Sequence, residues 1–261
     1  MGNQAYVRDV SAVAFGGRIL GLEPGRNDAQ FIQTNTNLVA PGLSCALPST
    51  GGAALASTAG PLDFSIQGHS VATLGHAETE VSDRTAGRDL SMYSRASVRQ
   101  LRVGIDTRLT LDSADVELAS VVTGDDEEDD KPHLFEFRQL AVRGLQFKGI
   151  PIQLTFWDLP SSYDELDDAL KALECSDNKP FVRRREGYIE FSAVKEVRGG
   201  AGTSPVEKRP HALKLENLGT VEFGIVQATE YSRNFVLMRM SLGSPIVGPV
   251  MVAYISSGGK G

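Results

Sequence analysis

Val221-Glu222-Phe223-Gly224-Ile225 and Val236-Leu237-Met238-Arg239-Met240-Ser241-Leu242 decide how this chain is read, because apolar residues recur at every second position in both. A period of two sends alternate side chains to opposite faces of an extended strand, and a helix has no use for it. The same alternation recurs upstream, in Ile150, Ile152, Leu154 and Phe156, in Ala114, Val116 and Leu118, and in Leu109 and Leu111. It continues back through Leu101, Val103 and Ile105 to Phe64 and Ile66. Each set turns one apolar face inward and leaves partners such as Gln153, Thr155 and Glu222 on the other. The expected fold is mainly β: an antiparallel two-sheet sandwich or a barrel-like domain with one capping helix.

The alternation changes phase between Leu111 and Ala114 and again at Arg143-Gly144. A one-residue slip exchanges the two faces of a strand, so bulges or bends are expected there, where two sheets meet. The helix is expected over residues 162–174. Pro160 stops the preceding strand, and Ser162-Tyr163-Asp164-Glu165 has the form of a capping box. Tyr163, Leu166, Ala169, Leu170 and Leu173 then make one narrow apolar stripe, and Lys171 stands four residues after Asp167.

With 261 residues, 41% of them hydrophobic and 23% charged, the chain has enough apolar mass for one elaborate domain. Residues 1–24 read as a strand pair turning at Gly16-Gly17, and residues 25–60, rich in Asn, Thr, Ser, Pro and Gly, as an extended arm or long loop. Residues 61–255 form the β core, and residues 256–261 read as a flexible tail. A net charge of −7 repels phosphate backbones and argues against nucleic acid as a partner. No apolar run is long enough to span a bilayer, and no leader pattern opens the chain, which reads as cytoplasmic unless a leader was removed. Cys45 and Cys175 are expected to be buried thiols rather than a bridge.

The strongest chemical signal is the run Asp125-Asp126-Glu127-Glu128-Asp129-Asp130, within an acidic loop over residues 124–131. These six residues are the metal candidates, with calcium the fitting ion, since calcium takes six to eight oxygen ligands. A continuous acidic run also reads as a solvated loop held extended by its own repulsion. His69, His76, His133 and His211 show no chelating spacing. No nucleophile elbow is present, so no catalytic residue is assigned, and Gly199–Ser204 reads as a flexible connection rather than a phosphate loop, because Pro205 and Pro210 prevent the helix that would follow. Asp158, Glu190 and Glu222 are the strand carboxylates conceivable for glycoside hydrolysis. Arg183-Arg184-Arg185 reads as an exposed cluster at a strand start or a site for an acidic partner, and Trp157 as a plug between sheet and helix.

Leu218-Gly219-Thr220-Val221-Glu222-Phe223-Gly224, Tyr231 through Met240 and Leu242-Gly243-Ser244-Pro245 resemble the closing region of uncharacterised bacterial β-rich proteins of the choice-of-anchor P group. That resemblance implies a secreted or surface-displayed protein and transfers no site residues. The function expected from all this is a non-enzymatic structural or self-assembling subunit of a ring, filament or surface layer, acting as a homo-oligomer or with a protein partner. The alternatives are a ligand- or carbohydrate-binding module, assisted by a cation, and a hydrolase that uses carboxylates.

Overall fold

The alternating runs become strands, and every strand pair described is antiparallel. In a computed structural model of the chain, the described residues are 7–21, 34–37, 44–46, 54–66, 69–86, 89–105, 108–122, 133–175, 180–243 and 246–260. In chain order the first strands are β1 (Val7–Gly21), β2 (Thr34–Asn37), β3 (Ser44–Ala46), β4 (Ala54–Ala59), β5 (Leu62–Ile66), β6 (His69–Leu74) and β7 (His76–Ala86). Then come β8 (Asp89–Val103), β9 (Leu109–Val122), β10 (His133–Arg143), β11 (Gln146–Phe147), β12 (Ile150–Pro151), β13 (Gln153–Phe156) and the helix α1 (Tyr163–Glu174). After the helix lie β14 (Val182–Arg185), β15 (Tyr188–Ser192), β16 (Val194–Arg198), β17 (Thr203–Val206) and β18 (Arg209–Leu215). The chain closes with β19 (Gly219–Ala228), β20 (Ser232–Leu242) and β21 (Ile246–Lys260).

Two sheets face each other as a sandwich, and neither closes into a barrel. The first is built on β19, β20, β21 and β1, the second on β7, β8 and β9 with β10 at its edge. A separate pair, β13 and β16, stands beside them. Both large sheets are creased. In the second, a line crosses from Gly75 through Gln100 and Asp112 to Gly144, and Gln100 and Gly144 take φ of 53° and 62°. On either side of that line β8 changes partner from β7 to β6, and β9 changes from β10 to β11. In the first sheet the line passes through Gly224 and Ala253, at φ 62° and 50°. There β19 changes partner from β18, along Gly219–Glu222, to β15, along Ile225–Ala228. A left-handed residue reverses the phase of its strand, so the slips read at Leu111–Ala114 and Gly144 are real bends. Along β20 the same reversal buries Phe235 and Leu237 before the crease and Met238, Met240 and Leu242 after it, so Val236, expected inward, stands half-buried.

The glycine pair at Gly16-Gly17 makes no hairpin. Residues 7–21 are one strand, paired with β21 from Val7↔Lys260 to Gly21↔Ile246. Gly17 serves close approach instead, since a Cβ there would run into the Pro249 carbonyl and the backbone of Val250. The tail expected to be flexible is strand as far as Lys260, because β1 pairs with it throughout and β20 pairs its other edge as far as Gly258. Of the arm at 25–60, residues 34–37, 44–46 and 54–59 are short strands, and the remainder up to Ala53 lies outside the described residues.

Phe15 of β1 meets Phe64 of β5 at 5.5 Å between ring centroids, and Phe235 of β20 meets Phe137 of β10 edge-on at 5.3 Å. Both pairs join one sheet to the other. Within this apolar interior the buried hydroxyls of Ser120 and Ser257 bond at 2.6 Å. Each satisfies the other where water is excluded, so a double-mutant cycle of Ser120→Ala and Ser257→Ala is expected to give a coupling of about 1 kcal/mol in urea unfolding. Additive single effects would show that the bond contributes nothing.

The helix forms as its punctuation predicts. The Ser162 hydroxyl accepts from the Glu165 amide at 3.3 Å, and Leu166 and Leu170 are buried. Lys171 reaches Asp167 at 2.8 Å, and Arg184 binds both Asp167 and Glu174, at 3.1 Å to the latter, tying the helix to β14. Hydrogen bonds from Lys171 and Arg184 hold the Asp167 carboxyl below its ordinary range. Cys175 at the helix end is an exposed free thiol, which corrects its expected burial. No helix among the described residues is long and apolar enough to cross a membrane.

Candidate functional site

Two of the three conceivable carboxylates come together on the first sheet. Glu190 of β15 and Glu222 of β19 are both buried, whereas Asp158 is exposed in the segment after β13. Cross-strand register brings each its partners, since Arg183 and Gln227 flank Glu190 and Arg239 lies opposite Glu222. Glu222 accepts from Arg209 at 2.9 Å and from Arg239 at 2.7 and 2.8 Å. Glu190 accepts from Gln227 at 3.1 Å and from Arg183 at 3.4 Å. Beside them His211 of β18 is fully buried, its Nε2 3.9 Å from Glu222 and its ring 4.6 Å from that of Phe181. Neither ring nitrogen of His211 has a hydrogen-bond partner, and burial pushes the imidazole down to about 4. Each of these buried carboxylates is bound by guanidinium or amide donors from neighbouring strands, which makes the group a polar layer of the sheet.

A parallel ladder crosses the second sheet, where Arg95 lies 3.4 Å from Glu78 and 3.3 Å from Glu117, and Asp115 accepts from Ser97 and Arg99 at 2.8 and 3.0 Å. Burial, with the charges of Glu117 and Glu80, raises the Tyr93 phenol to about 12. Two of the three clustered arginines are likewise engaged at home, Arg183 with Glu190 and Arg184 with the helix, and Arg185 is exposed. His69 and His76 are exposed and His133 is buried. Among the described residues no three of His, Cys, Asp and Glu converge as metal ligands, and Asp125–Asp130 lie outside the described residues. Gly199–Ser204, expected as a flexible connection, is a turn at Ala201-Gly202 leading into β17. Trp157 is half-buried beneath Lys195, whose Nζ stands 5.3 Å from the ring centroid, and its backbone amide bonds Ala193 at 2.8 Å.

Sequence reasoning did not single out Arg233 of β20. The residue is 2% exposed, and its guanidinium lies over the Phe135 and Tyr163 rings at 4.6 and 5.6 Å and donates to the carbonyls of Thr229 and Ser232. It too is internal scaffolding, a buried cation held by rings and carbonyls.

The open chemistry lies elsewhere. Between β10 and β13 is a cleft of about 690 Å³, lined by residues 140–146 and 151–156. At one end the Ile152 amide bonds the Leu145 carbonyl at 2.9 Å, and further up the Phe135 amide bonds the Ser161 carbonyl at 2.9 Å. Between these two bonds the segments form no ladder with each other, and β13 pairs with β16 instead. Along Leu140–Arg143 and Gln153–Phe156 each strand therefore has one edge outside any sheet ladder among the described residues. Leu140, Val142, Leu154 and Phe156 are half-buried and pack on the core as an apolar floor. Arg143 at the closed end is exposed and has no ion-pair partner among the described residues. The slip at Gly144 was the signal in the sequence, but the parting of two segments is a three-dimensional fact.

Comparison with protein-family models, with curated proteins and with solved structures gives no match to this chain.

Proposed function

We propose that this chain is a non-enzymatic assembly subunit, which joins other polypeptides through its unpaired strand edges. The cleft between β10 and β13 carries the reading, because it presents open main-chain edges above an apolar floor. The engagement of Glu190 with Arg183 and Gln227 and of Glu222 with Arg209 and Arg239 supports it, since these two carboxylates are held within the sheet. Rings, filaments and surface layers are the products such contacts build when copies of one chain meet head to tail.

Light scattering across a concentration series tests this. The mass of the native chain is expected to rise above 28.0 kDa with concentration. The exposed-site double variant Arg143→Glu/Thr155→Glu, with an unchanged unfolding curve, should stay at the monomer mass. A native chain that remains monomeric at high concentration sinks the self-assembly reading.

The cleft volume also lies within the range of small-molecule sites, which favours a ligand- or carbohydrate-binding module as the second reading. A thermal-shift screen with glycans and with calcium distinguishes it. A shift that Thr155→Glu removes would place the ligand in the cleft.

A further inference from the structure

We infer that the cleft between β10 and β13 takes the C-terminal residues of a partner polypeptide in extended form, with the terminal carboxylate on Arg143. The inference rests on reading the cleft as a docking surface, though not on self-assembly. The two walls offer main-chain donors and acceptors along Leu140–Arg143 and Gln153–Phe156, the pattern an added strand satisfies. At about 3.3 Å per residue, that length matches an occupant of about four residues. Half-buried Leu140, Val142, Leu154 and Phe156 receive apolar side chains at alternate positions of such a segment.

The closed end determines which kind of segment fits. The bond between Ile152 and Leu145 shuts the cleft beside Arg143 and Gly144, so a chain that enters extended cannot run on through it. A chain terminus meets that constraint, because only one end has to leave. Among the described residues Arg143 is the only charged one lining the cleft and has no carboxylate partner, so the terminus it fits is the carboxylate. β21 is paired with β20 as far as Gly258 and with β1 as far as Lys260, so these residues are already held in the sheet and do not supply the occupant.

The test is selection of the full chain against a displayed library of random pentapeptides with free C-termini, followed by fluorescence polarisation with the enriched sequences. Free-acid peptides are expected to bind at least about tenfold more tightly than the same peptides as amides, the size of one charge-assisted hydrogen bond. Arg143→Gln should erase that difference and Arg143→Lys should restore much of it, both with unchanged unfolding curves. No enrichment, or equal binding of acid and amide, overturns the inference. Two mixed outcomes separate it from the assembly reading. A chain that multimerises through the cleft but selects no peptide removes only the inference, while a monomer that binds free-acid peptides keeps the inference and removes self-assembly. Enrichment of peptides that match the chain's own C-terminus would overturn the assignment to a different polypeptide.

Discussion

Replacing Gly224 with valine is expected to destabilise the fold by roughly 2–5 kcal/mol, from left-handed strain of about 1–2 kcal/mol and overpacking of about 1–3 kcal/mol. Gly224 sits at φ 62° on the crease of the first sheet, and a Cβ there would lie 2.8 Å from Val194 Cγ2 and 3.3 Å from the Val194 amide nitrogen. The backbone cannot relax to an extended φ without moving the junction. At this point β19 exchanges β18 for β15, and the Gly224 carbonyl accepts from the Ala193 amide at 2.7 Å. Against a typical total of about 5–15 kcal/mol, the loss should lower the urea midpoint by roughly 1 M or more. Gly149→Val is the matched control. Gly149 also has positive φ, 78°, but a Cβ there meets nothing within 4 Å, so that variant should lose only about 1–2 kcal/mol of backbone strain. If the two variants unfold at the same urea concentration, the crease is not tightly packed and packing plays no part in fixing it.

The creases also show which parts of the fold could be read in advance. The capped helix was legible because its devices are local, Ser162 acting on Glu165 three residues on and Asp167 on Lys171 four residues on. The phase slips at Leu111–Ala114 and Gly144 were legible as positions, since a slip is written in the local pattern. That they lie on one line across four strands follows from pairings such as Arg99↔Ser113, which link distant segments. The serine- and glycine-rich end misled for the same reason. Its composition reports the freedom of the isolated chain, whereas its order comes from β1 and β20. For the site, Glu190 and Glu222 were named as candidates, but the arginines that bind them arrive from β14, β18 and β20. Only the assembled sheet reveals that these acids are already occupied. The cleft was harder still, because it exists where Leu140–Arg143 and Gln153–Phe156 fail to pair, and no local pattern encodes a pairing that is not made.

Stability is expected to fall by about 3 kcal/mol as pH drops from 6.5 to 4 because of His211 alone. The imidazole is fully buried and its folded value is pushed down to about 4 by desolvation, only partly opposed by Glu222, while Arg209 and Arg239 push the same way and Glu190 the other. In the unfolded chain the ring titrates near 6.5, so between the two values the unfolded state binds the extra proton and stability must fall with falling pH. Above 6.5 both states are neutral and the contribution is fully present; below 4 both are protonated and it is gone. His133, which burial and Arg233 also push down, adds to the loss in the same direction. His211→Leu isolates the main effect. Both imidazole nitrogens lack hydrogen-bond partners, so an apolar side chain forfeits no bond, and the variant should lie within about 1 kcal/mol of the native chain at pH 7. At pH 4.5 it should be the more stable protein by about 2–3 kcal/mol. Urea unfolding of both proteins at intervals from pH 7 to pH 4.5 measures the gap. Parallel curves would show that His211 takes up its proton in the folded state as readily as in the unfolded one, and that the polar layer around Glu222 admits the charge.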